Sequence, residues 1–424
     1  MRRSMLKLCS VVAIVGLIAA GCGSDKKKTT TNTTGATGSS NTTAASTQDA
    51  TALVKNDPLA GAKGSGKTRG ITATSIKIGC EFNGTAFAGS DDGYKARFER
   101  ANRDGGINGR KFVFSACQDD GDNTQNNATI AKRLVEQEGD FAVMSLSANE
   151  LAATTDYLNA QEVPYFGWGF LPGFCGQRWG FGFNGCLVTG FQGSAHTVYQ
   201  ASLADPIIKA AGLAAKDVKV AIQLGDDDSG KFAAPTYQKI YELRGAQVVY
   251  NKTTIPVPGP PADFTPFTQA VLGTKPNVVV TSTAFSAVGG FSAALRQAGF
   301  TGPNFNFVAY VPGLLASAPQ LADALEGTFI DTQIVPQEEQ TDWIKQMETD
   351  LVAVNAKAGK LITLSGAIAY AQAEMLVEQI TAVGKMDFPS AHFIPADCAA
   401  IVKVEAKQYK VALPFDCYKS AVVG

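Results

Sequence analysis

Residues 75–120 read SIKIGCEFNGTAFAGSDDGYKARFERANRDGGINGRKFVFSACQDD, and this stretch decides the fold. The run Ser75–Cys80 is β-branched and apolar and predicts a strand, and the run Lys111–Cys117 predicts a second strand. Between them, residues 91–103 place apolar side chains on one side at helical spacing. A crossover this short makes the two strands parallel neighbours, so we expect an α/β fold in which helices cover a twisted parallel sheet.

The end of this helix carries the sequence GGINGR at residues 105–110. Glycine tolerates the left-handed helix terminus, and Asn108-Gly109 predicts a turn. The stretch resembles the first lobe of the leucine-binding type of bacterial periplasmic binding protein, the branched-chain amino acid type. In that family an N-x-x-GGINGR-like run leads into a strand followed by acidic residues. Here the run spans residues 102–110, and Asp119 and Asp120 follow the strand.

The resemblance continues through most of the chain after about Thr74 and implies the type I periplasmic binding protein fold. In this fold two Rossmann-like lobes with parallel sheets are joined by a three-crossover hinge and close around a ligand. The chain after Ile71 is also too long for one small core. The predicted organisation is a signal peptide at 1–21, a lipid-anchored flexible linker at 22–70, lobe I at 71–189 plus about 333–390, and lobe II at about 190–332 plus about 391–424.

Apolar periodicity extends the α/β alternation along the chain. Residues 225–230, an acidic and glycine-bearing turn, precede the helix at 232–244, and Asp263-Phe264-Thr265-Pro266 begins a helix with Thr265 as its cap. Strands are predicted at 141–146, 163–167, 218–224, 247–252, 277–281, 306–309, 401–405 and 409–413, and helices at 126–137, 149–161, 341–358 and 365–383.

The first residues of the chain predict export. Three basic residues precede an apolar run at 8–20 that is too short to span a bilayer comfortably. The sequence LIAAGC at 17–22 resembles a bacterial lipobox, which implies that Cys22 becomes the lipid-modified first residue of the mature protein. The alternative is a cleaved signal with an incidental cysteine. The polar segment that follows cannot bury a core and is predicted to be a flexible tether.

Composition and motifs exclude several classes of function. Removing residues 1–21 takes three basic residues from a formal charge of −1, and the resulting −4 argues against nucleic acid. Residues 61–68 match the phosphate-loop pattern, but no strand precedes them and no helix follows, so nucleotide binding is not expected. With His196 and His392 as the only histidines and no C-x-x-C pair, we expect no metal or cofactor. Neither G-x-S-x-G nor H-E-x-x-H occurs, so we expect no enzyme.

Cysteine usage agrees with export. Besides Cys9 in the signal and Cys22, six cysteines remain, and sequence alone allows fifteen pairings. Six buried free thiols are the less favoured alternative outside the cytoplasm. Proximity along the predicted elements favours the disulfides Cys80 with Cys117, Cys175 with Cys186, and Cys398 with Cys417.

An aromatic and glycine-rich stretch occupies residues 171–188, and residues 180–185 also spell G-x-G-x-x-G. No strand leads into it and no helix opens from it, so a dinucleotide site is not expected. One interpretation is a disulfide-pinned loop whose aromatic side chains pack on the first lobe. The other is that Trp168 and Phe170, just before it, form a wall of the ligand cleft.

The resemblance also indicates where a ligand would bind. Amino-acid-binding members use small polar residues after strands three and four of the first lobe, and an acid in the second lobe for the ammonium group. Tyr310 stands where that acid would lie, and only Asp228 could replace it, so we expect a less polar ligand such as an aromatic or aliphatic carboxylate or amide. The predicted ligand-binding residues, placed by their position in these turns, are Asn83, Phe87, Ala148, Asn149, Trp168, Phe170, Asp228, Ser229, Phe285 and Tyr310.

These observations predict an extracytoplasmic solute-binding lipoprotein, anchored to the bacterial cell membrane through Cys22 and monomeric. It would capture a small amino-acid-like or less polar molecule by hinge closure and deliver it to the permease subunits of an ABC importer. The alternative is a ligand-sensing lipoprotein on the same fold that signals to a membrane receptor.

Overall fold

The computed structural model describes the chain from residue 67 onward, with gaps. In this part of the chain, no helix combines the length and the apolar character needed to cross a membrane. Cys22, Cys175 and Cys186 lie outside the described residues, as do the predicted signal peptide and nearly all of the tether. The described residues are 67–84, 87–121, 123–147, 149–167, 169, 171–174, 177–185, 197–257, 259–358, 362–383 and 397–423.

The first sheet contains six strands in the order β2-β1-β4-β5-β6, with β3 pairing to β1, and all of its pairs are parallel. The predicted βαβ unit is therefore confirmed. The predicted strand 111–117 is divided into β2 and β3, and between them Cys117 forms a disulfide with Cys80 of β1. The strands are β1 (Ser75–Phe82), β2 (Lys111–Phe114), β3 (Gln118–Asp119), β4 (Ala142–Leu146), β5 (Tyr165–Gly167) and β6 (Gly180–Gly182).

Three helices connect these strands: α1 (Ser90–Arg103), α2 (Thr124–Glu136) and α3 (Ala152–Ala160). Helix α1 buries Tyr94 and Phe98 against the sheet, as its helical spacing indicates. Helix α3 begins three residues later than predicted, because the backbone N–H of Leu151 donates to the carbonyl of Asn149 (2.8 Å) in a turn that precedes the helix.

The second sheet has seven strands in the order β14-β13-β12-β11-β10-β8-β9. Strands β8 to β12 are parallel, whereas β12, β13 and β14 pair antiparallel, with the Cys398–Cys417 disulfide across the last two. A separate pair joins β7 (Thr197–Tyr199) to β15 (Ala421–Val423). The strands of the large sheet are β8 (Lys219–Asp226), β9 (Gln247–Pro256), β10 (Val278–Ser282), β11 (Asn304–Asn306), β12 (Phe329–Thr332), β13 (Cys398–Glu405) and β14 (Gln408–Cys417).

The remaining helices lie between these strands or return to the first sheet. Helices α10 and α11 pack on α1, where Arg97 pairs with Glu374 and Arg103 Nη2 lies 2.5 Å from Asp350 Oδ1. The helices are α4 (Asp205–Ala211), α5 (Asp228–Leu243), α6 (Thr265–Leu272), α7 (Phe285–Gln297), α8 (Leu314–Ser317), α9 (Pro319–Leu325), α10 (Asp342–Val354) and α11 (Leu364–Val383).

Two details of the second sheet differ from the predictions. Thr265 does not cap α6 with its side chain; instead its backbone N–H donates to the Asp263 carboxylate (2.8 Å). The strand predicted at 306–309 is β11, which ends at Asn306. It ends there because Asn306 Oδ1 accepts the backbone N–H groups of Val308 (3.2 Å) and Ala309 (2.8 Å), which turns the chain away from the sheet.

The glycine-rich stretch contains a strand that the sequence analysis missed. Residues 180–182 form β6, which pairs parallel with β5. Phe181 stacks on Phe166 with ring centroids 5.2 Å apart. A Cβ atom on Gly180 would lie 2.4 Å from the ring of Tyr165, so close packing against the neighbouring strand accounts for this glycine.

Candidate functional site

The carboxyl ends of the parallel strands in the first sheet meet at one edge. The backbone N–H of Asn83, after β1, donates to the carbonyl of Leu146 at the end of β4 (3.1 Å). The backbone N–H of Gly84 donates to Asp119 Oδ1 (2.8 Å), and that of Asp120 donates to the carbonyl of Phe82 (2.9 Å). These bonds hold the turns after β1, β3 and β4 together as a single surface.

Several predicted ligand residues lie at this edge. Asn83 is buried, and the backbone N–H of Phe87 donates to its carbonyl (2.8 Å), while the Phe87 ring is part of the hydrophobic core. Asn149 is half-buried, and its Oδ1 accepts a long hydrogen bond from the Thr124 hydroxyl at the start of α2 (3.4 Å). Ala148, Trp168 and Phe170 lie outside the described residues.

The turn after β5 is fixed by Asn184, which the sequence analysis did not single out. Its Oδ1 accepts the backbone N–H of Gly169 (2.8 Å), and its Nδ2 donates to Gln333 Oε1 (3.1 Å). Gln333 directly follows β12 of the second sheet, so this buried amide connects the edges of the two sheets. The G-x-G-x-x-G match contains Asn184, but the motif alone does not indicate this contact.

Three buried carboxyl groups, those of Glu81, Asp120 and Glu150, lie behind the first edge. The sequence analysis named only Asp120, as an acidic residue that follows a strand, and missed the other two. Asp120 accepts hydrogen bonds from the hydroxyl of Ser147 and from Asn127 Nδ2 (3.2 Å). Within the described residues, both carboxyl oxygens of Glu81 and Oε1 of Glu150 make no hydrogen bond of normal geometry, although Ser145 lies close to both groups. The available signal in the sequence was Glu81, an acidic residue directly after the predicted strand Ser75–Cys80.

Burial controls the protonation of two of these groups, because it disfavours the charged form. It raises the pKa of Glu81 well above its usual range, and the charges of Glu150 and Asp120 raise that pKa further. Burial also raises the pKa of Glu150 to about 8, and the nearby Asp120 adds to this shift. At neutral pH Glu150 is therefore predominantly protonated.

The carboxyl edge of the second sheet carries the remaining predicted residues. Asp228 and Ser229 are not in a loop, because they form the first turn of α5, where Asp227 caps the helix by accepting the backbone N–H of Gly230 (2.7 Å). Phe285 is buried at the start of α7. Between these helix starts, the hydroxyl of Thr283 is buried without a hydrogen-bond partner in the described part of the chain, and the sequence analysis missed it.

Tyr310 follows β11 and is fully buried. Its hydroxyl donates to Glu338 Oε2 (2.6 Å) and accepts the backbone N–H of Gln337 (2.7 Å), and its ring packs edge-on against Tyr409 at 5.0 Å. Burial raises the pKa of both Tyr310 and Glu338 above their usual ranges. The tyrosine thus joins the second sheet to residues 337–339 of the connection that leads to α10.

Polar and aromatic groups at both edges can bind a small molecule, but nothing described here favours a metal. Among the described residues, no three His, Cys, Asp or Glu side chains are grouped so that they could hold a metal ion. The chemistry available consists of backbone N–H groups at the starts of α3, α5 and α7, hydroxyl and amide side chains, and apolar rings.

Comparison with known proteins shows what this arrangement resembles. The sequence profile described as "Periplasmic binding protein" matches residues 82–397. No curated protein matches the chain. Solved structures share the fold at low sequence identity. The leucine-binding protein LivK from Thermotoga maritima has a TM-score of 0.57 at 14% identity, over 79% of this chain and 97% of its own.

Two further structures extend the comparison. A solute-binding protein of an ABC transporter from Rhodopseudomonas palustris HaA2, in complex with p-hydroxybenzoic acid, has a TM-score of 0.60 at 17% identity, over 81% of this chain and 97% of its own. A fatty acid ABC transporter substrate-binding protein from Thermomonospora curvata has a TM-score of 0.61 at 17% identity, over 83% of this chain and 95% of its own. At these identities the likeness shows a shared fold.

Proposed function

The chain belongs to the periplasmic binding protein family, and from this membership we propose that it captures a small solute outside the cytoplasm and delivers it to the permease of an ABC importer. The proposed role is binding rather than catalysis, and the solute-binding fold of the family supports it. The fold is that of type I members, which confirms the prediction made from residues 75–120.

We assign the two sheets to two lobes. Lobe I contains the first sheet with α1 to α3, and α10 and α11 belong to it because they pack on α1. Lobe II contains the seven-stranded sheet, including β13 and β14, which pair beyond β12. The chain therefore passes between the lobes between β6 and β7, between β12 and α10, and between α11 and β13, which supports a three-crossover hinge that closes around ligand.

The proposal rests on one observation. The chain that matches the family forms two sheets, and each sheet presents the carboxyl ends of its parallel strands at one edge. Ligands of open α/β sheets bind outside the carboxyl ends of the strands. Here both edges carry buried polar groups, and the Asn184 to Gln333 hydrogen bond joins them. We therefore place the ligand between Asn83 and Asn149 on one side and the starts of α5 and α7 on the other.

The ligand class follows from the second edge. A buried α-ammonium needs a carboxylate partner. Tyr310 cannot provide one, and Glu338 already accepts a hydrogen bond from the Tyr310 hydroxyl. We propose a ligand with an aromatic or aliphatic body and one carboxylate or amide group. Proteins of the same fold described as binding p-hydroxybenzoic acid or as transporting fatty acid support this class.

We further propose that the protein is a monomeric lipoprotein, held to the membrane through Cys22 and the polar tether. A lipid at one end of a flexible segment keeps the binding lobes near a membrane permease. Mass spectrometry of the mature protein tests the anchor. A diacylated Cys22 is expected, and an unmodified N-terminus would contradict it.

Calorimetric titration tests the proposed ligand class. We expect saturable one-to-one binding of 4-hydroxybenzoate or of a fatty acid, and tight binding of leucine or valine would overturn the ligand class.

Reconstitution with the cognate importer then separates transport from sensing. Ligand-dependent ATPase stimulation supports delivery, and its absence with intact binding would favour a sensor.

A further inference from the structure

A chain of hydrogen bonds runs from the predicted ligand edge into the core of lobe I. The backbone N–H of Asn149 donates to Ser147 Oγ (3.0 Å), and the Ser147 hydroxyl donates its one proton to Asp120 Oδ2. Asp120 is fully buried and also accepts from Asn127 Nδ2 (3.2 Å), while Asn127 Oδ1 accepts the hydroxyl proton of Thr154 (2.5 Å). The turn after β4 is thus tied to α2 and α3 through one carboxylate.

We propose that Asp120 is a positioning residue for ligand binding, which acts through Ser147 to hold Asn149 and the residues that follow it to Leu151. This inference rests on the proposed solute-binding function. A serine hydroxyl has one proton, so donation to Asp120 directs its lone pairs toward the backbone N–H of Asn149. Without the carboxylate, the hydroxyl could rotate and the turn would lose its fixed shape.

The turn matters because it sets the start of α3. The first N–H groups of a helix have no partner within the helix and attract an anionic group. Leu151 is the residue before α3, and its backbone N–H donates to Asn149 (2.8 Å). Asp120 therefore determines, through Ser147 and Asn149, where these N–H groups meet the ligand's carboxylate or amide.

The charges around Asp120 make this arrangement sensitive to pH. Glu81 faces it from β1 and Glu150 from the turn, while Tyr94 of α1 and Tyr165 of β5 lie near Glu150. Burial raises the pKa of Glu150 to about 8. Above that pH an ionised Glu150 repels both Asp120 and an anionic ligand, so affinity for a carboxylate ligand should fall.

The test compares Asp120→Asn with Asp140→Asn in the full mature chain. Asp140 is a second buried acid of lobe I, but it lies just before β4, at the other end of that strand from Ser147. Hydrogen exchange of the ligand-free protein measures the backbone N–H groups of residues 149–151 directly. We expect Asp120→Asn to speed their exchange by about tenfold, because a charged hydrogen bond is lost, and Asp140→Asn to leave it unchanged.

A second measurement follows the affinity for 4-hydroxybenzoate from pH 6 to 9. We expect the wild type to bind about tenfold more tightly than Asp120→Asn at pH 7 and to lose affinity above about pH 8. In the variant the loss of affinity should begin at a lower pH, because the Asp120 charge no longer raises the pKa of Glu150. If Asp120→Asn does not fold, Ser147→Ala replaces it, with the same expected faster exchange and weaker binding at pH 7 but with the pH profile of the wild type, because Asp120 keeps its charge.

Equal exchange of residues 149–151 in the wild type and both variants would overturn the inference, and so would identical pH profiles for the wild type and Asp120→Asn. If the wild type does not bind 4-hydroxybenzoate, that result counts against the proposed ligand class, and the exchange measurement alone decides the role of Asp120.

Discussion

Tyr310 shows how single residues escape prediction from sequence. Its place after a strand of the second sheet is predictable, since the strand pattern there is clear. Its partners are not predictable, because Glu338 lies 28 residues farther along the chain and Tyr409 approaches from β14. Asn83 and Asn149 differ from it, because their positions at strand ends place them at the same edge without knowledge of distant contacts.

Glu150 makes a testable contribution to stability. Its folded pKa of about 8 lies above the ordinary value of 4.5, so the folded state binds the proton more tightly than the unfolded state. The protonated Glu150 therefore contributes its full stabilisation of the folded state below about pH 4.5, and this contribution is lost as the pH rises to about 8. We expect Glu150→Gln to remove this loss, which is on the order of 5 kcal/mol, as measured by urea unfolding at several pH values.

The comparison needs a reference acid, and Glu162 serves because it lies outside the buried cluster and pairs with Lys67 at the surface (3.2 Å). Glu162→Gln should leave the pH dependence of stability as it is in the wild type. Superimposable pH curves for the wild type and Glu150→Gln would contradict the raised pKa.

At the scale of elements, regular patterns were sufficient for most of the fold. Strand β1 and helix α1 follow from apolar periodicity, and the hairpin of β13 and β14 follows from alternation around Lys407. Strand β6 could not be predicted, because Gly180-Phe181-Gly182 has no β-branched residue and pairs only through its tertiary neighbours. The ends of β11 and α3 depend on local turns that periodicity does not detect.

The packing of β6 can be tested at Gly180. A Cβ atom there would lie 2.4 Å from the ring of Tyr165, whose hydroxyl donates to the carbonyl of Gly173 (2.6 Å). We expect Gly180→Ala to destabilise the protein by about 1–3 kcal/mol through overpacking, measured by thermal unfolding. Gly259→Ala is the control, since a Cβ atom there meets no atom within 4 Å. Equal melting temperatures for the two variants would show that β6 tolerates the added methyl group.

At the scale of the whole molecule, the two sheets explain why sequence could predict a ligand edge but not its complete lining. Each edge follows from strand order, whereas the contact between them depends on Asn184 and Gln333, which are far apart in the chain. In the proposed two-lobe arrangement, a solute between the edges would contact both lobes only when they approach, so we expect closure and binding to be coupled.

This coupling predicts a change in shape on binding. Small-angle X-ray scattering of the mature, non-acylated chain should give a smaller radius of gyration with saturating 4-hydroxybenzoate than without ligand, because the bound solute favours the closed state. The tether contributes equally to both measurements, and a titration with leucine under the same conditions controls for unspecific effects of added solute. Saturable calorimetric binding with an unchanged radius of gyration would mean that the lobes bind without closing, and the hinge assignment around residues 333–341 would then be wrong.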